Sequence, residues 1–308
     1  MSGAWVRLTD AGLGCPDWPG CYGQLTPPQS AAEIERANAA FPDAPVETGK
    51  AWREMLHRYA IPFLGLIVLA LAAIAIANRD DPFVPLLVPL LLIPLLGLQA
   101  ALGMLTVTML LQPIIVVAHL IGGMATLALL GYLAMRTWPR EPQILSPATR
   151  FRTLAVAALA VVMVQIALGG WTSANYAALA CPDFPTCQSQ WWPDASFADG
   201  FVPWRGLGST GPADSQARTA IHLAHRIGAI VTLLVVGGIG LLAALRGSHR
   251  GMRLAGAAMT VVVAIQAALG ATIVLQRLPL ALAVAHNGTA AVLLLATVAL
   301  IVAAWRQA

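Results

Sequence analysis

Four of the six histidines in this 308-residue chain fall into two matched pairs. His57 and His225 are each followed by an arginine, Arg58 or Arg226, while His119 and His286 each stand twenty residues after a glutamine, Gln99 or Gln266. Two imidazoles brought from facing helices into an apolar pocket suit axial ligation of a haem iron. Zinc calls for three or four ligands, and no third Cys or carboxylate accompanies each pair. The bland alternative for any single histidine is a polar side chain satisfied by a neighbouring helix. Arg58 and Arg226 are placed either to pair with haem propionates or simply to reach the headgroup region of a membrane.

A carboxylate stands beside only one pair. Glu54 lies three residues before His57, and the matched position before His225 is His222, so each projects beside its histidine one helical turn on. This asymmetry suggests acid–base chemistry on the Glu54 side and a purely redox centre on the other. The competing reading is an ordinary surface glutamate near a helix N-terminus. The four cysteines form two further matched sets, Cys15 with Cys21 and Cys181 with Cys187. Three pairings are formally open; the short spacing favours two local disulfides, Cys15–Cys21 and Cys181–Cys187, in an oxidising compartment. Neither set has the Cys-x-x-Cys spacing of thioredoxin-like chemistry, which favours a structural staple over a redox role.

The elements that must carry these residues are membrane helices. Charged residues make up 10% of the chain and hydrophobic ones 58%, which excludes a soluble globule and a disordered chain alike. Long charge-free stretches predict seven spans, near 53–77, 84–106, 113–136, 152–174, 218–245, 252–275 and 280–304. The stretch from Pro82 to Met135 holds two of them, broken at Thr106–Pro113. Arg79, Arg136, Arg140, Arg150, Arg152, Arg246, Arg250, Arg253 and Arg306 all fall on one side, the cytoplasm by the positive-inside rule. The long loops 6–52 and 175–217, with their cysteines, then lie outside, and the C-terminus lies inside. No basic tract is interleaved with aromatics, so nucleic acid is not an expected partner. On these spans His57 and His225 begin helices at the outer surface, and His119 and His286 lie roughly 10 Å below the outer helix ends.

The chain also matches itself at an offset of 166 to 168 residues. Gly3-Ala4-Trp5 through Cys21 matches Gly169-Gly170-Trp171 through Cys187, His57-Arg58 matches His225-Arg226, and Gln99–Gly103 is identical to Gln266–Gly270. The expected fold is an all-α integral membrane protein of two parallel four-helix-bundle repeats. Residues 1–136 form the N-terminal half with one histidine site, 137–151 a cytoplasmic linker, and 152–308 the C-terminal half with the other. The first half shows three helices against four, so an eighth helix is expected upstream of Gly3.

The run Val6-Arg7-Leu8-Thr9, Gly12 to Pro19, Cys21 to Leu25 and Pro27-Pro28 resembles the haem A synthase family. Glu54 to Tyr59 (Glu-Met-Leu-His-Arg-Tyr) and the settings of His119, His225 and His286 agree, so the resemblance covers essentially the whole chain. It implies an oxidoreductase of the bacterial inner membrane that converts haem O to haem A for cytochrome oxidase. One porphyrin methyl group becomes a formyl group by stepwise hydroxylation and dehydration. The resemblance makes His57 and His119 the ligands of the substrate haem, His225 and His286 the ligands of a haem b cofactor, and Glu54 the acidic residue needed for catalysis. Cys15 and Cys21 match a loop pair proposed to form a disulfide, with Cys181 and Cys187 its repeat. Haem O synthase and oxidase assembly factors are the implied protein partners, with room for a homo-oligomer. Two rival readings are a quinone-linked membrane thiol oxidoreductase, motivated by the outward cysteines, and a non-enzymatic haem carrier or diheme electron conduit. A solute transporter fits less well, because no span has the pattern of a helix broken at mid-membrane.

Overall fold

The computed structural model describes residues 2–81, 84–137, 149–204 and 214–305. Most of the 137–151 linker, together with Arg140 and Arg306, lies outside the described residues. Three short helices are α1 (Ser2–Leu8), α2 (Ala31–Ala40) and α7 (Phe197–Gly200). The long ones are α3 (Thr48–Ala77), α4 (Leu87–Thr108), α5 (Pro113–Thr137), α6 (Thr149–Ala174), α8 (Ser215–Arg246), α9 (Arg250–Leu275) and α10 (Leu280–Trp305). All seven are long and apolar enough to cross a membrane. Their outward faces carry side chains such as Phe63, Leu66, Leu69 and Ile74, each more than half exposed, which only a lipid solvent makes inexpensive. The chain is a multi-pass, all-α membrane protein.

The breaks fall where backbone chemistry places them. Between α4 and α5, Leu110 and Leu111 take φ values of 49° and 58°, and between α9 and α10 Arg277 and Leu278 take 56° and 66°. Left-handed residues cannot continue a right-handed helix, so the chain turns back at both points. Pro113 then opens α5, where the missing N–H costs nothing.

Two helices begin earlier than hydropathy indicates, and this corrects the placement of their histidines. α3 starts at Thr48 and α8 at Ser215, where the Asp214 side chain accepts the N–H of Ala217 at 2.7 Å. Hydropathy reports only the part of a helix in contact with lipid. The outer turns persist because the loops pack on them: Ala51 and Met55 are buried with Cys15, Cys21 and Tyr22. His57 and His225 therefore stand about 14 Å along their helices rather than at the start.

The chain forms two compact units, Met1–Gly122 and Gly123–Ala308. In the first, α1 packs on α3 and α3 on α4, and the opening of α5 completes the unit. In the second, α6, α8, α9 and α10 enclose a core that includes Val162, Val236, Met259 and Leu294. α8 and α9 approach closely at Gly240 and Gly256, where a methyl group on Gly256 would lie 2.5 Å from the Gly240 carbonyl oxygen. At the far end of this bundle Arg152 donates to the Ala304 carbonyl at 3.1 Å and stacks over the Trp305 ring.

Candidate functional site

Each cysteine set closes into a local disulfide, Cys15–Cys21 and Cys181–Cys187, with Cα atoms 4.8 and 4.5 Å apart. Each loop is then ordered from within by an aspartate. Asp17 accepts the N–H groups of Tyr22 and Gly23, both at 2.7 Å. Asp183 accepts those of Gln188 at 2.6 Å and Ser189 at 3.0 Å, together with the Thr186 hydroxyl. These bonds, the Thr186 hydroxyl foremost, hold the Asp183 carboxyl below the usual carboxylate range. In the first loop, burial pushes the Tyr22 phenol up, and the negative charges of Asp17, Glu47 and Glu54 push the same way. Its hydroxyl donates to the Ala44 carbonyl at 3.1 Å.

The arginines after the histidines fasten these loops to the membrane helices. Arg58 donates to the Asp17 carbonyl at 2.8 Å and to that of Gly20, and it pairs with the Glu54 carboxylate one turn back. Arg226 donates to the carbonyls of Thr186 at 2.7 Å, Asp183 at 2.6 Å and Cys181 at 3.1 Å. A planar guanidinium with five donors suits such a convergence of carbonyls.

Glu54 is only 4% exposed, so the surface-glutamate reading is set aside. Its Oε2 accepts the backbone N–H of Cys15 at 3.0 Å. At the matched place in the second unit His222 Nδ1 takes the N–H of Cys181 at 3.3 Å and lies 3.0 Å from the Ala177 carbonyl. The same architectural task, holding the first cysteine of a disulfide loop, is thus done by a carboxylate in one unit and an imidazole in the other.

The histidines meet as pairs within each unit. The ring centroids of His57 and His119 are 6.4 Å apart, with the planes at 77°. A pair so placed would hold a haem iron between two imidazole nitrogens, and that iron would supply redox chemistry. In the second unit His225 and His286 lie within direct electrostatic reach of each other. Nδ1 of His119 and Nδ1 of His286 are buried with no hydrogen-bond partner, as expected of nitrogens in a pocket that a further group completes. The Cε1 atom of each ring comes close to a glycine: a methyl group added at Gly3, Gly103, Gly169 or Gly270 would stand 3.4, 3.4, 3.1 or 3.3 Å from His57, His119, His225 or His286. The donor set and the room around it fit a haem in each unit. Among the described residues no three His, Cys, Asp or Glu side chains gather as a metal cluster.

One site residue was not singled out by sequence reasoning. The Gln165 amide nitrogen stands 3.1 Å from His225 Nδ1, as that of Gln266 stands 3.2 Å from His286 Nε2. A signal was present, since Gln165-Ile-Ala-Leu-Gly169 differs from Gln99-Ala-Ala-Leu-Gly103 at one position. It places Gln and Gly on one helix face, where the Gly admits the ring and the Gln reaches it.

Residues 1–298 match the COX15-CtaA family, described as cytochrome oxidase assembly proteins. A heme A synthase of Shewanella oneidensis is 43% identical over the whole chain and 92% of its own length. A heme A synthase of Caulobacter vibrioides is 30% identical over 99% of this chain and 90% of its own, and one of Granulibacter bethesdensis is 28% identical over 97% and 81%. These likenesses do not favour a thiol oxidoreductase or a haem carrier. With its paired histidines, its two disulfide loops and the seven apolar helices among its described residues, the chain belongs to the COX15-CtaA family of cytochrome oxidase assembly proteins.

Proposed function

We propose that the chain is a haem A synthase, converting haem O to haem A for cytochrome oxidase. The reaction takes a porphyrin methyl group to a formyl group by stepwise hydroxylation and dehydration. His57 and His119 hold the substrate haem, and His225 and His286 hold a resident haem b. When bound, haem supplies the redox-active iron for oxidation and electron transfer. The observation that carries the reading is the buried Glu54, standing one turn before His57 in the only one of the two histidine sites that has a carboxylate among the described residues.

The residues divide the work. Glu54 takes up protons released as the methyl group is oxidised; its rotamer is fixed by the Cys15 N–H and its charge is balanced by Arg58. Arg58 and Arg226 hold the disulfide loops over the pairs, and their charge is placed to offset haem propionates near the outer surface. The apolar helices exclude water and keep the dielectric low around both pairs. The arginine distribution supports an orientation with the cysteine loops outside the bacterial inner membrane and the C-terminus in the cytoplasm. The expected partners are a haem O synthase and oxidase assembly factors. The two-part organisation, residues 1–136 for substrate and 152–308 for haem b, follows the internal sequence repeat.

The test is extraction and chromatographic identification of haems from membranes that hold this chain and a haem O supply, with and without Glu54→Ala. Haem A that forms only with Glu54 intact supports the assignment. Normal haem A from the variant overturns the role of Glu54, and haem O returned unchanged by the native chain favours a carrier.

A further inference from the structure

Gln165 and Gln266 each end in a buried amide oxygen with no hydrogen-bond partner, although the nitrogen of the same amide meets a histidine ring. Two such orphans beside one histidine pair invite a physical reason, since a buried acceptor left without a partner is costly. The neighbouring ring supplies one. A neutral imidazole with no metal accepts a hydrogen bond at one nitrogen, and the amide Nε2 donates to it. Once the opposite nitrogen ligates iron, the first nitrogen carries the ring proton and turns donor. A half turn of the terminal amide then puts the orphaned Oε1 where Nε2 stood, and the same side chain accepts.

The remaining surroundings of Gln165 hold it against the ring. Gln165 sits against Gly228, where a methyl group would lie 2.2 Å from its Oε1, so the side chain is confined to the face of α8 that presents His225. Its Nε2 also donates to the His225 backbone carbonyl at 3.1 Å, which holds the side chain beside the ring and is the bond that a turned amide gives up in exchange for the ring N–H. His57 in the first unit is served differently: its Nδ1 meets the Ser2 hydroxyl at 3.0 Å, a group that donates or accepts without rearrangement.

We propose that Gln165 and Gln266 are positioning residues for the C-terminal histidine pair, holding the unligated ring nitrogens of His225 and His286 and so setting the reduction potential of the haem between them. The proposal rests on the haem-binding reading of that pair. A ring N–H that donates to an amide oxygen makes its imidazole a stronger electron donor, which favours ferric over ferrous iron. Loss of the acceptor raises the potential, and a stronger acceptor lowers it.

The experiment is redox titration and low-temperature EPR of the purified full chain with its haem, as native protein and as Gln165→Leu, Gln266→Leu, Gln165→Glu and Gln266→Glu. The leucine variants are expected to raise the potential by about a tenfold change in the reduction equilibrium, 59 mV for one electron, and to move the low-spin g values. The glutamate variants, of the same shape, are expected to lower it. Native potentials and g values in both leucine variants overturn the proposal. If a leucine variant loses its haem, retention at a lowered potential in the glutamate variant supports the proposal, and loss there too assigns the residue to packing and overturns it. A native chain that binds no haem, or one that keeps its full haem signal after His286→Ala, overturns the haem reading first and is seen before any glutamine is changed.

Discussion

The Glu54 carboxylate accepts the backbone N–H of Cys15, the first cysteine of the disulfide loop, at 3.0 Å across 39 residues of sequence. Its other oxygen pairs with Arg58, which in turn holds carbonyls of the same loop. The proposed catalytic group and the loop above it are therefore one hydrogen-bonded unit.

Glu54→Gln separates the charge from the contact. The amide oxygen can still accept from Cys15, so the first loop stays in place, while the ability to take up a proton is lost. Haem A formation should fall by about a hundredfold or more, the usual scale of acid–base catalysis, with the visible spectrum of the resident haem unchanged. Product measured by chromatography at the native level would sink the proton-transfer role.

The two histidine pairs should fail differently. His286→Ala should remove the resident haem b signal from the purified protein, whereas His119→Ala should leave it and abolish conversion of haem O. Optical spectra and haem extraction read both, and an unchanged haem b spectrum in the first variant contradicts the assignment of that pair.

Arg226→Lys keeps the charge and loses the fork. A single ammonium cannot serve the carbonyls of Cys181, Asp183 and Thr186 together. Losing one charge-assisted bond of about 1.5 kcal/mol should raise amide exchange in residues 181–187 by about tenfold. Native exchange rates would show that the loop holds without the clamp.

The second loop should also carry an acid dependence. Asp183 has its folded-state pKa lowered by the Thr186 hydroxyl and by the N–H groups of Ser189 and Gln188. A lowered value contributes stability that is present above the unfolded pKa, about 3.9, and is lost as pH falls through the lower folded value. Amide exchange at Gln188 and Ser189 should therefore rise as pH drops below 4 after correction for intrinsic rates. Asp183→Asn should flatten this dependence, and an identical profile in the variant counts against it.

The disulfides give a last comparison. Closing so short a loop contributes about 2 kcal/mol through chain entropy. Cys181→Ser with Cys187→Ser should lower the thermal midpoint while leaving haem conversion within a few-fold of native. Complete loss of activity in a folded, haem-loaded variant would instead give the second disulfide a chemical role.

Spans, turns and cysteine pairs were legible in the sequence because each depends on neighbours in the chain. Twenty apolar residues make a span wherever they occur, cysteines six positions apart favour a local bridge, and the break at Thr106–Pro113 shows in its composition. Hydropathy misjudged the starts of α3 and α8, because their outer turns are held by loop packing on Ala51 and Met55 and by the Asp214 cap rather than by lipid. The four histidines of the site could be listed in advance from the repeat, whereas Gln165 shows only through a near-copy of Gln99–Gly103 that lies outside the matched register.

By itself the sequence determined a seven-span helical membrane protein with two cysteine loops, two histidine pairs and one odd carboxylate. Only the tertiary structure decided that Glu54 is buried against Cys15, that Arg58 and Arg226 face loop carbonyls, and that a glutamine backs each histidine of the second pair. The reason is physical: partition into lipid is a sum over consecutive residues, whereas a side-chain contact depends on the rotation of each helix and on loops that return across dozens of residues.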